Sequence, residues 1–316
     1  IGKLFINVLI DLLKTDLDII IYVPPETDKS FSEERIKSLF KKIIYLPKSP
    51  LIGAKKILSD NLDLLFYPDI GMCSYSYILA LSRLAFIQVS SLGHPNTTGI
   101  KNIDYFITGD RVTHKPDSCY SERLIRFNRL PFNYSIPKIE EQTLKTRGLI
   151  NSYKNFNIGL TQSLFKLHPD YDNILISILM EIKNSYLILI KNGEDKTKAL
   201  KKRWSDKNKV LIERSIFLEK LSKNDFINIT RNCNIMLDPF YFGSGNTFYE
   251  AMAVGTPFIT YPKDQIGSLV SSGYKQMGII NPPIAKSPED YIKWCKKYAN
   301  DKSLLTSTRK ELIKKA

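Results

Sequence analysis

The stretch Asn234-Ile-Met-Leu-Asp-Pro-Phe-Tyr-Phe-Gly-Ser-Gly-Asn-Thr-Phe-Tyr-Glu-Ala-Met-Ala-Val-Gly-Thr-Pro-Phe-Ile-Thr260 decides the fold. It reads as strand, loop, helix, strand. Ile235, Met236 and Leu237 form a short apolar run, and Asp238-Pro239 ends it because proline cannot donate to a ladder. Gly243 and Gly245 let the backbone turn sharply and approach another group closely. Asn246 or Thr247 is expected to cap the following helix. Gly255 stops that helix, with Pro257 just beyond. Phe258 to Tyr261 supplies the next strand. A glycine loop feeding a helix N-terminus between parallel strands suits phosphate or another anion, and Glu250 in the early helix would sit beside it. Spacing alone fits a ligand-free βα turn equally well.

The same rhythm extends in both directions. Upstream, the apolar runs at 17–23, 43–46, 62–67, 85–89, 105–108 and 124–127 read as strands. Amphipathic segments at 1–14, 31–42, 51–59 and 76–84 read as helices. Residues 130–154 break this pattern with Pro131, Pro137 and aperiodic charge. The rhythm then resumes with strands at 157–160, 186–190 and 210–212 and helices at 171–183, 195–204 and 224–231. Helices are also expected at 264–272 and 288–300, with a Lys-rich one from 304. Alternating strands and helices predict parallel sheets covered on both faces. The domains are therefore expected at 1–135 and 155–316, joined by a linker at 136–154, with a final helix able to pack back on the first lobe. Two doubly wound Rossmann-like halves imply a cleft lined by the carboxyl ends of strands.

The chain has 316 residues, 43% hydrophobic and 25% charged, which fits a globular protein with two real cores. No apolar run approaches the roughly 20 residues of a membrane span, and no secretory signal pattern is present. The cytoplasm is the expected location. The chain opens on a helix with no preceding strand and begins with Ile1, so a truncated N-terminus is expected. Cys73, Cys119, Cys233 and Cys295 are widely spaced and fit free thiols in a reducing compartment. Three histidines, His94, His114 and His168, are too few for a His-rich metal site. The net charge of +14 reads as a solvated lysine surface, because no nucleic-acid motif accompanies it.

Three loops stand at expected strand ends. Residues 67–72 contain Asp69, which suits either a turn or a site. Residues 91–99 are small and carry His94, equally readable as a packed loop histidine. Residues 161–169 offer Lys166, readable as surface charge or as a diphosphate ligand beside a helix N-terminus. His168 before Pro169 reads as a helix-entry residue.

The run Leu65-Phe66-Tyr67-Pro68-Asp69-Ile70-Gly71-Met72 is followed by Gly93-His94-Pro95 with Thr97-Thr98-Gly99, and then by Tyr120-Ser121-Glu122-Arg123-Leu124. Together these resemble the N-terminal lobe of the bacterial O-GlcNAc-transferase/SPINDLY-like glycosyltransferases. The C-terminal lobe of that family is resembled by Gln162 to Pro169, Leu237-Asp238-Pro239-Phe240, Phe242 to Thr247 and Gly255-Thr256-Pro257. The resemblance implies a GT-B fold: α/β, two Rossmann-like doubly wound domains facing a cleft. It implies inverting, metal-independent transfer of GlcNAc or a hexose from UDP-GlcNAc or UDP-glucose to a protein side chain. Carried over by motif, Lys166 would bind the donor diphosphate, and Gly243, Ser244, Gly245, Asn246 and Thr247 would cradle its phosphates. Glu250 would take the ribose hydroxyls. Gln162 and Ser163 would lie beside the nucleotide, and Phe226 would flank the uracil. Asp69, His94, Pro95, Thr97 and Thr98 would face the acceptor or sugar, and Lys166 and His94 are the expected catalytic pair.

Two positions depart from the family pattern. Many relatives have Phe-His-Phe-Gly-Gly-Gly-Asn-Thr where this chain has Phe240 to Thr247, so Tyr241 replaces a histidine and Ser244 a glycine. Ser244 is tolerable if its φ is negative. The family's His-containing N-terminal segment would fall at or before Ile1, as would any tetratricopeptide repeats. Two other functions stay open at this level: a glycosyltransferase of surface polysaccharide or glycolipid synthesis, and a catalytically weak nucleotide-sugar-binding interaction protein.

Overall fold

The computed structural model describes residues 2–25, 33–109, 112, 116–135, 137, 155–263 and 268–316. The expected linker at 136–154 thus lies, except for residue 137, outside the described residues, as does His114. The chain divides into two compact units, Ile1–Ser135 and Ile136–Ala316.

In the first unit, helix α1 (Gly2–Leu12) precedes β1 (Ile20–Val23), α2 (Glu33–Leu39), β2 (Lys42–Tyr45), α3 (Pro50–Leu58) and β3 (Leu64–Tyr67). Then come α4 (Ser74–Ala80), β4 (Ile87–Ser91), β5 (Tyr105–Gly109) and β6 (Arg123–Phe127). All pairings are parallel. They form a two-stranded sheet, β1-β2, and a four-stranded sheet, β3-β4-β5-β6, rather than one continuous sheet. The edge of the Phe5 ring meets Phe66 at 5.4 Å and Phe132 at 5.3 Å, which fastens α1 to the four-stranded sheet. The alternation of strand and helix lapses between β4 and β5. Those strands are joined by a loop without a helix, because Gly93, Pro95 and Gly99 interrupt any helical period there.

The second unit comprises β7 (Phe156–Gly159), α5 (Pro169–Glu181), β8 (Ser185–Ile190), α6 (Glu194–Lys207), α7 (Val210–Glu213) and β9 (Ser215–Leu218). It continues through α8 (Lys223–Asn232), β10 (Ile235–Leu237), α9 (Asn246–Ala253), β11 (Phe258–Ile259), α10 (Leu269–Met277), α11 (Pro288–Asn300) and α12 (Lys302–Lys315). The five strands are parallel in the order β11-β10-β7-β8-β9. Side chains alternate across this sheet as a period of two demands. Ile158, Leu187, Leu189, Ile235, Leu237 and Ile259 enter one buried cluster with Tyr171, Trp204 and Tyr291. Ile188, Met236 and Phe258 enter the opposite one with Phe248, Tyr274 and Leu312. Helices therefore cover both faces. The final helix, α12, packs on α9 and α11, and Leu312 is fully buried.

Three sequence expectations change. Residues 210–212 are the helix α7, and the strand follows at Ser215–Leu218. A short apolar run carries no period that separates strand from helix, and here Leu211 is fully buried in the core beside α5 and α6. Of the helix expected at 264–272, residues 264–267 lie outside the described residues; α10 runs on past Ser272, through Gly273, to Met277 and stops at Gly278 in the left-handed region at φ 61. Gly273 is there for packing: a Cβ would lie 2.2 Å from Phe248 Cε1. Finally, neither Asn246 nor Thr247 caps α9. Gly245 occupies the N-cap and Asn246 is the first helical residue.

Gly273→Ala sets two effects against each other. Alanine gains up to about 1 kcal/mol of helix propensity, whereas forcing a methyl into a filled core costs about 1–3 kcal/mol. The Phe248 ring is 1% exposed and has little room to retreat. The variant is expected to be less stable in urea denaturation by about 1–2 kcal/mol. A gain in stability would show that the Phe248 ring can move.

Candidate functional site

The second unit's strand order reverses between β7 and β10, the first and fourth of its five strands, which are neighbours in the sheet. Connections leave these two strands toward opposite faces, so a crevice opens outside their carboxyl ends, the usual ligand position in open α/β sheets. The loop after β7 carries Gln162, Ser163 and Lys166. The loop after β10 carries residues 238–245.

A buried carboxylate shapes the second loop. Asp238 is fully buried. Its Oδ1 accepts the Ser244 N–H at 2.7 Å and its Oδ2 accepts the Thr260 hydroxyl at 2.7 Å. The first bond closes the loop over six residues, and the second ties it to the end of β11. The Asp238 carbonyl accepts the Tyr291 hydroxyl at 3.1 Å. Sequence reading took Asp238 as a strand terminator and as part of a family motif, since no spacing rule reveals that its carboxylate points back into the loop.

Residues after β7 lock onto this loop. Gln162 is buried, and its Nε2 donates to the Leu237 carbonyl at 3.0 Å and to Ser244 Oγ at 2.9 Å. A single 3-10 turn, Leu164–Lys166, starts at Ser163 and aims Lys166 at the glycines. Lys166 Nζ donates to the Gly243 carbonyl at 3.0 Å and lies 4.5 Å from the centroid of the Phe242 ring. Burial pulls the Lys166 pKa below the ordinary lysine value, while the Asp238 charge pushes it back up. The lysine is thus partly desolvated, and its charge counts for more than it would in water.

The N-cap of α9 is Gly245, which has no side chain to cap the first turn. A Cβ at Gly245 would meet nothing within 4 Å, so space is open beside the turn. Among the described residues, no partner meets the buried Thr161 Oγ1, Gln162 Oε1 or Asn246 Oδ1. Buried polar atoms are normally bonded, and orphans gathered at one set of loops fit a polar ligand there. Glu250 is also buried, one turn into α9. Thr247 is half-buried in the first turn of α9. Phe226 is half-buried in the first turn of α8, which packs on α9.

The two family departures are now placed. Ser244 is not among the described residues with positive φ, so its side chain is accommodated. Tyr241 does have a positive φ, 69°, which is costly for a bulky residue. Its hydroxyl donates to Asp170 Oδ2 at 2.7 Å, and its ring meets His168 edge-on at 4.8 Å. His168 is the N-cap of α5, accepting the Asp170 N–H on Nδ1 at 3.3 Å, as its place before Pro169 suggests.

In the first unit the loops after β3 and β4 pack together. A Cβ on Gly71 would lie 2.7 Å from His94 Cβ, and one on Gly93 would lie 2.4 Å from the Pro68 carbonyl oxygen. Asp69 receives the Ser76 hydroxyl at 3.0 Å. Burial raises its pKa above the usual aspartate value, against the opposing pull of that bond. Burial lowers the His94 pKa below 6.5. His94 Nδ1 accepts the Asn96 N–H at 3.3 Å, which puts the neutral ring's proton on Nε2. Pro95, Thr97 and Thr98 follow in the same loop. The Pro95 carbonyl accepts the Tyr120 hydroxyl at 2.7 Å, and Thr97 and Thr98 bond to the buried Glu122. Among the described residues no group of three or more His, Cys, Asp or Glu side chains is placed to hold a metal ion, and no helix is long and apolar enough to cross a membrane.

Two Rossmann-like α/β units, one with a glycine loop and a lysine at its switch point, define the GT-B class of fold. The solved structure of a Thermobaculum terrenum O-GlcNAc transferase superposes on 94% of the chain and 57% of that protein, with a TM-score of 0.77 at 20% identity. An Anabaena protein, HepE, solved with UDP and glucose, superposes on 93% of the chain with a TM-score of 0.59 at 13% identity. The sequence model of glycosyl transferase family 41 matches residues 148–316, more than half of the chain, and the chain belongs to that family. A UDP-glucose:protein N-beta-glucosyltransferase of Actinobacillus pleuropneumoniae is 24% identical over 272 residues, 84% of this chain and 43% of that protein. A probable UDP-N-acetylglucosamine–peptide N-acetylglucosaminyltransferase of Arabidopsis thaliana, SEC, is 25% identical over 240 residues, 72% of this chain and 24% of that protein. The chain thus spans less than half the length of these relatives.

Two outcomes follow from the geometry. Asp238→Ala strands the Ser244 N–H and the Thr260 hydroxyl and is expected to cost about 1.5–3 kcal/mol in chemical denaturation; an unchanged midpoint would contradict the loop-closing role. For His94, the folded pKa lies below the unfolded value, so the unfolded chain binds more protons. Its contribution to stability is present above pH 6.5 and is lost as pH falls through the depressed folded value. The stability gap between the wild type and His94→Gln should narrow as pH drops from about 7 to 5. A constant gap would contradict the burial of a neutral ring.

Proposed function

We propose that this chain carries the donor site of a UDP-sugar-dependent glycosyltransferase that moves a hexose or N-acetylhexosamine onto a protein side chain. The observation that carries this reading is the joining of Lys166 to the 243–247 loop at the switch point of the second unit. Transfer leaves a diphosphate, whose developing negative charge needs fixed positive partners. A half-desolvated ammonium and an uncapped helix N-terminus supply them without reorganising. In this reading Lys166 leaves the Gly243 carbonyl to bind the diphosphate, and the N–H groups of Gly243, Gly245, Asn246 and Thr247 take the remaining oxygens while the Ser244 N–H stays on Asp238. Gln162 and Ser163 line the nucleotide, with the unpartnered Gln162 Oε1 available to a donor on the base or ribose. Glu250 accepts from the ribose hydroxyls, and Phe226 stacks on the uracil.

In the first unit, His94 with its proton on Nε2 is a hydrogen-bond donor to the sugar or acceptor, and Asp69 and Pro95 shape the wall around it. Inversion follows from a single displacement at the anomeric carbon, with the acceptor entering opposite the leaving diphosphate. Charge carried by Lys166 makes the transfer metal-independent in this reading, so chelators should leave turnover unchanged. A protein acceptor is favoured because relatives similar over most of this chain carry protein or peptide acceptors in their names. A cytoplasmic setting suits the four free cysteines.

The test uses the full chain with UDP-glucose and UDP-GlcNAc, reading UDP release in the presence of acceptor protein. Lys166→Ala should lower turnover by about 10²–10³-fold, the typical cost of one preorganised charge-stabilising donor, while the fold is retained. Lys166→Ala with wild-type turnover would overturn the placement of the diphosphate. UDP binding without release in the wild type would favour a nucleotide-sugar-binding interaction protein instead.

A further inference from the structure

The loop from residue 92 to residue 104 has no helix or strand to hold it, yet it carries His94. A loop of that kind pays for order with bonds at its own residues. Its upstream end is fixed by backbone packing: Gly93 lies on Pro68 and Asp69, and Gly71 lies on His94. Its far end is held by Gln88, Asn102 and Asp104, and its middle, at Thr97 and Thr98, by one carboxylate. Glu122, directly before β6, is 5% exposed. Its Oε2 accepts the Thr97 hydroxyl at 2.7 Å. Its Oε1 accepts both the Thr98 N–H, at 2.7 Å, and the Thr98 hydroxyl.

The two threonines have little left to offer a substrate. A hydroxyl has one donor and two acceptor positions. Thr97 Oγ1 donates to Glu122 and accepts the Ser121 N–H at 3.1 Å and the Gly99 N–H at 3.2 Å, which fills it. Thr98 Oγ1 donates to Glu122 and accepts the Ile100 N–H at 3.1 Å. Tyr120, two residues before Glu122, adds its hydroxyl to the Pro95 carbonyl.

We propose that Glu122 is a positioning residue for the transfer reaction: its carboxylate clamps Thr97 and Thr98, and the clamp holds His94 with its Nε2–H toward the substrate. Thr97 and Thr98 then serve the clamp rather than touching sugar or acceptor. The proposal rests on the reading of His94 as a substrate-facing group. Its test therefore needs one readout that is independent of turnover.

Nitrogen-15 spectra of the imidazole rings in the full chain provide that readout. Only His94, His114 and His168 contribute, and His94→Gln assigns the relevant signals. In the wild type, His94 should show the Nε2–H tautomer, with Nδ1 as the acceptor. In Glu122→Ala the Asn96 N–H bond to Nδ1 should loosen, and the two ring signals should move toward each other. Turnover should fall on the order of 10²-fold, the cost of misplacing a reacting group by about 1 Å, with UDP affinity unchanged because Lys166 and the glycine loop are untouched. Glu122→Gln keeps one acceptor oxygen and should restore most of both signals. It also carries the test if Glu122→Ala does not fold. Thr97→Val combined with Glu122→Ala should be little worse than either alone.

His94 signals identical to wild type in Glu122→Ala would overturn the proposal. So would a Thr97→Val variant that raises the KM for a substrate while leaving the His94 ring unperturbed, since that assigns Thr97 to substrate. If the wild type releases no UDP but the ring signals respond to Glu122 as described, the clamp stands and the transferase reading fails.

Discussion

Burying a carboxylate costs several kcal/mol unless its oxygens are well bonded. The second unit meets that cost at Asp238. One oxygen takes the Ser244 N–H and the other takes the Thr260 hydroxyl. These bonds fold the glycine loop back over the end of β10 and fix it to the end of β11. The loop's placement then lets Lys166 reach the Gly243 carbonyl, lets Gln162 reach Ser244, and starts α9 at Asn246 without a side-chain cap. The loop, the lysine and the open helix end are thus consequences of one satisfied buried charge. Gly159 contributes on the neighbouring strand by leaving room for the Met236 side chain: a Cβ there would meet Met236 Sδ at 2.2 Å.

Much of this was legible in the chain. The parallel α/β class, the strand-loop-helix-strand unit at 234–260 and the helix at Pro288–Asn300 follow from period, glycine and proline. The family resemblance, carried by motifs such as Phe242 to Thr247, is matched by membership of glycosyl transferase family 41. What was not legible depends on contacts between distant residues. Val210 to Ile212 are apolar in either state, and only the burial of Leu211 decides for a helix. Gly273 lies inside α10 because a larger residue would meet the Phe248 ring. Asp238 and Glu122 entered the sequence reading only as a strand end and as members of family motifs. Their importance lies in carboxylates that reach back to Ser244 and to Thr97 and Thr98, and sequence spacing does not encode that direction.

Tyr241 is the position where this chain departs most clearly from the resembling family. A left-handed backbone suits glycine, asparagine, aspartate or histidine better than tyrosine. The chain keeps it there with a hydroxyl bond to Asp170 and an edge contact to His168, both at the start of α5. The strain is therefore spent on linking the glycine loop to the helix that follows Lys166. A tyrosine in this place still organises the loop, but it offers a phenol where the relatives offer an imidazole.

The central claim is that the 243–247 loop, with Lys166, holds the diphosphate of a nucleotide sugar. Hydrogen exchange of the full chain with and without UDP tests it directly. UDP should slow exchange at the amides of residues 243–247 and in the first turn of α9, with smaller effects along β8 and β9. Unchanged exchange in that loop while UDP is bound, or protection confined to another part of the chain, would contradict the account.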